Sequence, residues 1–324
     1  MSNIYTVITS VNAPTEGVKK HASKEGGKII VVGDKKSPAN WSCANVLFLP
    51  FHEHSSCNID MLLPYNHYSR KMIGYLHAYM EGAEIIIDTD DDNIPYKLQH
   101  DFPEKEGSFI VTPEDLGFYN VYGYYTSQKI WPRGFPLDKI NIPLPPPDMY
   151  KMGFKKIGIW QGLADIDPDV DAIYRLIDYT PCTFSKRGTL VLSKGSLSPF
   201  NSQNTLFFKE FFPLLYLPAF VSFRFTDILR GYVAQPILWA AGRHLGFCDA
   251  SVFQTRNEHD IMSDFEQEIS MYLHSESAAE IARATVRETQ SVKDNLFNVY
   301  VALTNKGIVP EKELSLLELW LKNF

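Results

Sequence analysis

The apolar positions of this chain change rhythm along its length. Ile4-Tyr5-Thr6-Val7-Ile8-Thr9 is a β-type run that stops at Ser10-Val11-Asn12. Lys28-Ile29-Ile30-Val31-Val32, ending at Gly33-Asp34, and Val46-Leu47-Phe48-Leu49 repeat the pattern. Between residues 69 and 81 the spacing becomes helical, with Met72, Tyr75, Leu76 and Tyr79 on one face. Glu84-Ile85-Ile86-Ile87 is then almost continuously apolar, as a strand buried on both faces requires. Strands alternating with helices predict an α/β fold with a mainly parallel, crossover-connected sheet. Ligands of such sheets bind beyond the carboxyl ends of the strands. The run Asp88-Thr89-Asp90-Asp91-Asp92 begins where the fourth strand ends.

The rest of the chain is less regular. Residues 95–155 are rich in Pro, Tyr and Gly, and Pro145-Pro146-Pro147 makes a stiff connector. Helices are predicted near Val170–Asp178, Asp227–Gly242, Ser263–Val286 and Ser315–Asn323, and short strands near Thr189–Leu192. We divide the chain into an α/β domain over 1–260 and a helical C-terminal extension over 261–324 packed on it. No repeat or low-complexity tract is present.

With 324 residues, 45% of them hydrophobic, the chain can bury a large core. A net charge of −7 gives no global attraction to nucleic acid or anionic lipid. Cys43, Cys57, Cys182 and Cys248 have neither zinc-ribbon nor redox spacing, and scattered thiols fit a reducing compartment. The N-terminus opens on a strand rather than on a basic, then apolar leader. The richest apolar segment, Phe211–Phe223, is short and interrupted by Pro213 and Pro218. The expectation is a cytoplasmic protein with no transmembrane segment and no nucleic-acid partner; homo-oligomerisation is left open.

Four carboxylates within five residues repel one another, and burying them is costly unless a cation offsets their charge. All-oxygen donors in small number suit Mg²⁺ or Mn²⁺, which keep positions for phosphate oxygens. The alternative is a solvated acidic loop.

Further segments join this cluster in order: Trp131-Pro132-Arg133-Gly134-Phe135-Pro136-Leu137, Gln161-Gly162-Leu163, Asp167-Pro168-Asp169-Val170-Asp171-Ala172, Pro199 to Thr205, Ser222 to Tyr232, and Arg256-Asn257-Glu258-His259-Asp260. Together they resemble the STELLO family of glycosyltransferase-like proteins over roughly residues 65–275. More distantly, the acidic triplet and the Arg-Gly-aromatic-Pro segment resemble the reversibly glycosylated polypeptides, which include UDP-arabinopyranose mutases. The resemblance implies a GT-A (Rossmann-like) fold, a nucleotide-sugar donor, preferably a UDP-sugar, and Mn²⁺ or Mg²⁺.

Under that resemblance Asp90, Asp91 and Asp92 are the candidate metal ligands. Gln254-Thr255 stands where a metal-binding histidine is expected, so His259, five residues beyond Gln254, is the fourth candidate. Thr9, Ser10 and Asn12, at the end of the first strand, and Asp34, after the second, are placed to contact the base or ribose, or serve only as turn residues. Arg70 and Lys71, at the start of a helix, suit a phosphate or are surface charges. Asp88 faces the ribose or caps backbone, and Arg224 is a candidate phosphate or carboxylate partner. Arg133 is read as a catalytic, sugar-handling guanidinium or as an arginine stacked on Trp131 or Phe135. Asp169 and Asp171 are read as binding the acceptor or as capping a helix. Asp227, at the start of a helical run among aromatics, is the candidate catalytic carboxylate, or an N-cap with Arg230 as a helix-surface partner.

The leading expectation is a metal-dependent glycosyltransferase acting on a glycan or glycoconjugate hydroxyl. A self-glycosylating UDP-sugar mutase and a non-catalytic nucleotide-sugar-binding scaffold are the alternatives. A nucleotidyltransferase would want a glycine-rich triphosphate loop, which the N-terminus lacks.

Overall fold

The computed structural model describes residues 3–24, 26–52, 58–98, 102–178, 180–255 and 260–324. In chain order they form β1 (Ile4–Thr9), α1 (Glu16–Ala22), β2 (Gly27–Val32), β3 (Val46–Leu49), α2 (Lys71–Met80), β4 (Ile85–Thr89), β5 (Asn93–Pro95), β6 (Glu106–Val111), β7 (Gly117–Phe118) and α3 (Val121–Tyr125). There follow β8 (Lys151–Asp165), α4 (Ala172–Ile177), β9 (Leu190–Val191), β10 (Ser196–Leu197), β11 (Asn204–Phe208), α5 (Thr226–Ala240), β12 (His244–Gln254), α6 (Ile261–Thr285), α7 (Val292–Asn305) and α8 (Lys312–Leu321).

A mixed sheet runs in the order β3-β2-β1-β4-β11-β8-β6-β9-β12-β5. Its first four strands are parallel, as the alternating pattern predicts. From β1 the chain moves outward to β2 and β3, then returns to place β4 on the other side of β1. That reversal opens a crevice beyond the carboxyl ends of β1 and β4, where ligands of such sheets collect. Past β4 the directions mix. β11 runs antiparallel to β4 and β8, and β12 runs parallel to β8 but antiparallel to β5.

β8 is the largest element that the hydrophobic pattern does not reveal. Its first six residues pair with β6 and are mostly open to solvent, including Met152 and Phe154, so they lack a clean apolar alternation. Its last nine are buried and pair with β11 and β12.

The helices set the walls of the crevice. Thr15 caps α1 by accepting from Val18 N and donates from its hydroxyl to the Asp91 carbonyl. Gly17 allows this approach, because a Cβ there would lie 2.6 Å from the Asp91 carbonyl oxygen. α5 is buried on nearly every face, so it carries no amphipathic stripe. Residues 261–324 share one hydrophobic core with the sheet, running from Tyr5 and Val7 to Leu316 and Trp320. Buried Glu313 of α8 accepts from the Tyr216 hydroxyl at 2.5 Å and from the amides of Ala219 and Phe220 at 2.9 Å each. Among the described residues no helix is long and apolar enough to cross a membrane.

Candidate active site

A cleft of about 400 Å³ lies at the carboxyl edge of the parallel strands. Thr9 ends β1 and Ser10 and Asn12 follow it, Gly33 and Asp34 follow β2, and Asp90, Asp91 and Asp92 follow β4, and all of them line it. Arg133, Asp169, Asn201, Gln203, Phe223, Arg224, Asp227 and Gln254 line the remainder. Six aspartates line the cleft against four Lys and Arg side chains, so its walls are acidic.

The acidic run is not a solvated loop. Asp88 is fully buried in β4, across from Val7 and Thr205. Its carboxylate meets Lys71 Nζ and Arg230 Nη1, each at 2.7 Å, and accepts from the Ser202 hydroxyl at 2.5 Å. Burial opposes its ionisation, but Lys71 and then Arg230 outweigh that and hold it below the usual carboxylate range. Neither Asp88 nor Lys71 lines the cleft; both lie behind it.

Lys71 also reaches Asp90 at 2.9 Å, where Tyr68 donates its hydroxyl at 2.6 Å. For Asp90 burial wins over Lys71 and raises the carboxyl above its ordinary value. Asp91 accepts from Ser10 at 2.5 Å and Asn12 at 3.1 Å. Asp92 accepts from Gln254 Nε2 at 2.7 Å through Oδ2, while its buried Oδ1 has no hydrogen-bond partner among the described residues. Burial, reinforced by the charge of Asp90, raises Asp92 to about 7.

A second network centres on Arg133. Its Nε donates to Asp169 at 2.7 Å, Nη2 to both oxygens of Asp227 at 2.9 and 3.0 Å, and Nη1 to the Arg224 carbonyl. Gly134 at φ +85° permits the turn, and a Cβ there would strike Ile228 of α5. Asp169 also accepts from Asn201 at 2.7 Å; burial opposes its charge, but Arg133 lowers it overall. Arg133 is thus an ion-paired hub, not an arginine stacked on Trp131 or Phe135. Asp227 sits at the start of α5 against a guanidinium rather than in a purely aromatic setting, and also accepts from Ser202 N at 3.3 Å and Ile228 N at 3.0 Å.

The other candidates divide. Arg70 is buried, 2.5 Å from Asp60 and 3.6 Å from Asp34, and lines the cleft with Asp34. Asp171 lies outside the lining residues: it caps α4 through Tyr174 N at 2.8 Å and accepts from Trp131 Nε1 at 2.6 Å. Burial raises its carboxyl to about 6. His259 lies outside the described residues. Among the described residues no three His, Cys, Asp or Glu side chains form a ready metal cluster.

Sequence reasoning did not single out Tyr68, Asn201, Gln203, Arg230 or Gln254 as site residues. Asn201, Gln203 and Arg230 lie in segments that carry the resemblance, and Gln254 marks its departure. Tyr68 precedes Arg70 by two residues and gives no signal of its own.

Fold and cleft define a mixed α/β protein with an acidic crevice at a topological switch point. Its relationships are with STELLO proteins. The profile described as STELLO glycosyltransferases matches residues 224–324. The Arabidopsis thaliana proteins named "Probable glycosyltransferase STELLO1" and "Probable glycosyltransferase STELLO2" are 26% and 25% identical to the chain over 98% of its length. The chain is therefore STELLO-like, and it spans 44% of the length of each of these relatives. A mannosyltransferase from Pyrobaculum calidifontis, solved in complex with GDP-Man and Mn²⁺, aligns over 94% of this chain and 75% of its own, at 8% identity and a TM-score of 0.44.

Proposed function

We propose that this chain is a GT-A-type glycosyltransferase that binds a nucleotide-diphosphate sugar, with a UDP-sugar as first choice, and transfers the sugar to a glycan or glycoconjugate hydroxyl. One observation carries the reading. The switch-point crevice is lined by Asp90, Asp91 and Asp92, and the buried Asp92 Oδ1 has no donor among the described residues. A carboxylate oxygen held that way suits a cation.

The donor set fits Mn²⁺ or Mg²⁺. Asp90 and Asp92 offer oxygen, and such ions take one or two carboxylates and complete their shell with phosphate and water. A divalent cation bound there would neutralise the diphosphate as the sugar–phosphate bond breaks. The remaining roles fall to the chain itself. Ser10 and Asn12 fix Asp91, and Thr9, Asn12 and Asp34 face the nucleoside. Arg224 offers a guanidinium to the phosphates. Both oxygens of Asp227 already accept hydrogen bonds, which suits a fixed negative charge near a developing oxocarbenium rather than a proton acceptor. Asp169, beside it on Arg133, is the remaining carboxylate for acceptor hydroxyls.

Transfer is favoured over self-glycosylation through Arg133. All three guanidinium nitrogens are engaged, and although burial opposes the charge, Asp169 and Asp227 hold it more firmly protonated than a free arginine. That leaves no free lone pair to attack a sugar. The test is to incubate the purified chain with UDP- and GDP-sugars and Mn²⁺, with and without sugar acceptors. Nucleotide release that needs acceptor supports transfer; a ring isomer formed without release supports a mutase; binding without turnover supports a scaffold.

A further inference from the structure

α6 belongs to the C-terminal helices, yet one of its side chains reaches the cleft wall. Glu268 is fully buried, and its carboxylate takes four donors from three parts of the chain. Oε1 accepts from Arg224 Nε at 3.0 Å and Nη2 at 2.7 Å. Oε2 accepts from Ala172 N, at the start of α4, at 2.7 Å and from the Tyr272 hydroxyl at 2.6 Å. Arg224 in turn lines the cleft and gives its carbonyl to Arg133. Its Nη1 makes no hydrogen bond among the described residues.

A buried carboxylate is an expensive way to join helices, since apolar residues of similar size do as well or better. What the carboxylate supplies and an apolar residue cannot is a two-point grip on one edge of a guanidinium, which fixes its plane and aims the opposite edge. We propose that Glu268 is a positioning residue: it clamps the Nε/Nη2 edge of Arg224 so that the Nη1 edge meets the phosphates of a nucleoside diphosphate. This rests on the nucleotide-sugar reading above. It makes α6 part of the donor site.

The experiment is calorimetric binding of UDP and of uridine, with Mn²⁺ present, to the full chain, repeated with GDP and guanosine. Four proteins are compared: native, Glu268→Gln, Arg224→Ala and the double variant. Glu268→Gln is expected to weaken nucleoside diphosphate binding by about tenfold in the native background and by less than about twofold when Arg224 is already alanine, leaving the nucleoside unchanged. A purely structural Glu268 predicts the same loss in both backgrounds and for the nucleoside as well, which would overturn the proposal. If Glu268→Gln does not fold, Arg224→Lys keeps the charge without the fork: loss of about tenfold for the diphosphate alone is expected, and native affinity overturns the idea. Native protein that binds neither diphosphate sinks the functional reading and this inference with it. Native binding with no coupling between the two residues sinks this inference alone.

Discussion

The aspartates of the acidic run and of the Arg133 network fall into two groups. Asp88, Asp169 and Asp227 are each matched to cations: Asp88 to Lys71 and Arg230, the other two to Arg133. Asp91 and Asp92 are held by neutral donors, Ser10, Asn12 and Gln254, and one oxygen of Asp92 has none among the described residues. Asp90 stands between, sharing Lys71 with Asp88. The matched group lies on β4, in the loop before α4 and at the start of α5, and cross-links the molecule. The under-matched group clusters in one loop at the switch point. On the proposed reading, the difference separates charges that hold the fold from charges kept for a ligand.

Breaking the matched group should have the largest effect. Arg133→Ala strands Asp169 and Asp227 without a counter-charge and is expected to destabilise the chain by about 3–5 kcal/mol, read by denaturant melts. Asp92→Asn should do the opposite of a structural mutation. It is expected to cost about a hundredfold in Mn²⁺-dependent UDP affinity while leaving metal-free stability at pH 8 equal or higher.

Carboxyls that the fold raises and those that it lowers respond to pH with opposite sign. Asp92, at about 7, and Asp171, at about 6, are raised, so the fold favours their protonated forms. The stability they contribute is complete below the ordinary carboxylate value and is lost as pH rises through 6 to 7. Asp88 and Asp169 are lowered, so their contribution is present above the ordinary value and is lost as pH falls through their depressed values. Metal-free melting temperature should therefore decline between pH 5 and 8, and the decline should shrink in Asp92→Asn; an unchanged slope would remove Asp92 from this account. The smallest effect belongs to Asp171→Ala, where loss of the α4 cap should cost about 1–2 kcal/mol and leave nucleotide affinity unchanged.

The parallel half of the fold was legible because its strands are short and apolar, and β1, β2 and β4 end in turn formers. The acidic run after β4 was legible as a cluster, and its position beyond a buried strand pointed to a ligand edge. What sorts its members was not. Asp88 looks like its neighbours in sequence, and its neutralisation by Arg230 spans 142 positions. Arg133 shows its ion pairs only once the loop before α4 and the start of α5 are brought to it. β8 escaped because half of it is solvent-exposed, and Glu268 because a charged residue in a helix reads as surface.

The central claim is that the loop after β4 holds a divalent cation that grips a diphosphate. The direct measurement is UDP binding by calorimetry at pH 7.5, with Mn²⁺ and with a chelator, for native protein and for the Asp90→Asn, Asp92→Asn double variant. The account predicts binding to native protein that weakens by about a hundredfold on chelation, and a variant of native stability that no longer responds to Mn²⁺. Equal affinity with and without metal, or a variant that keeps the full Mn²⁺ response, would contradict it.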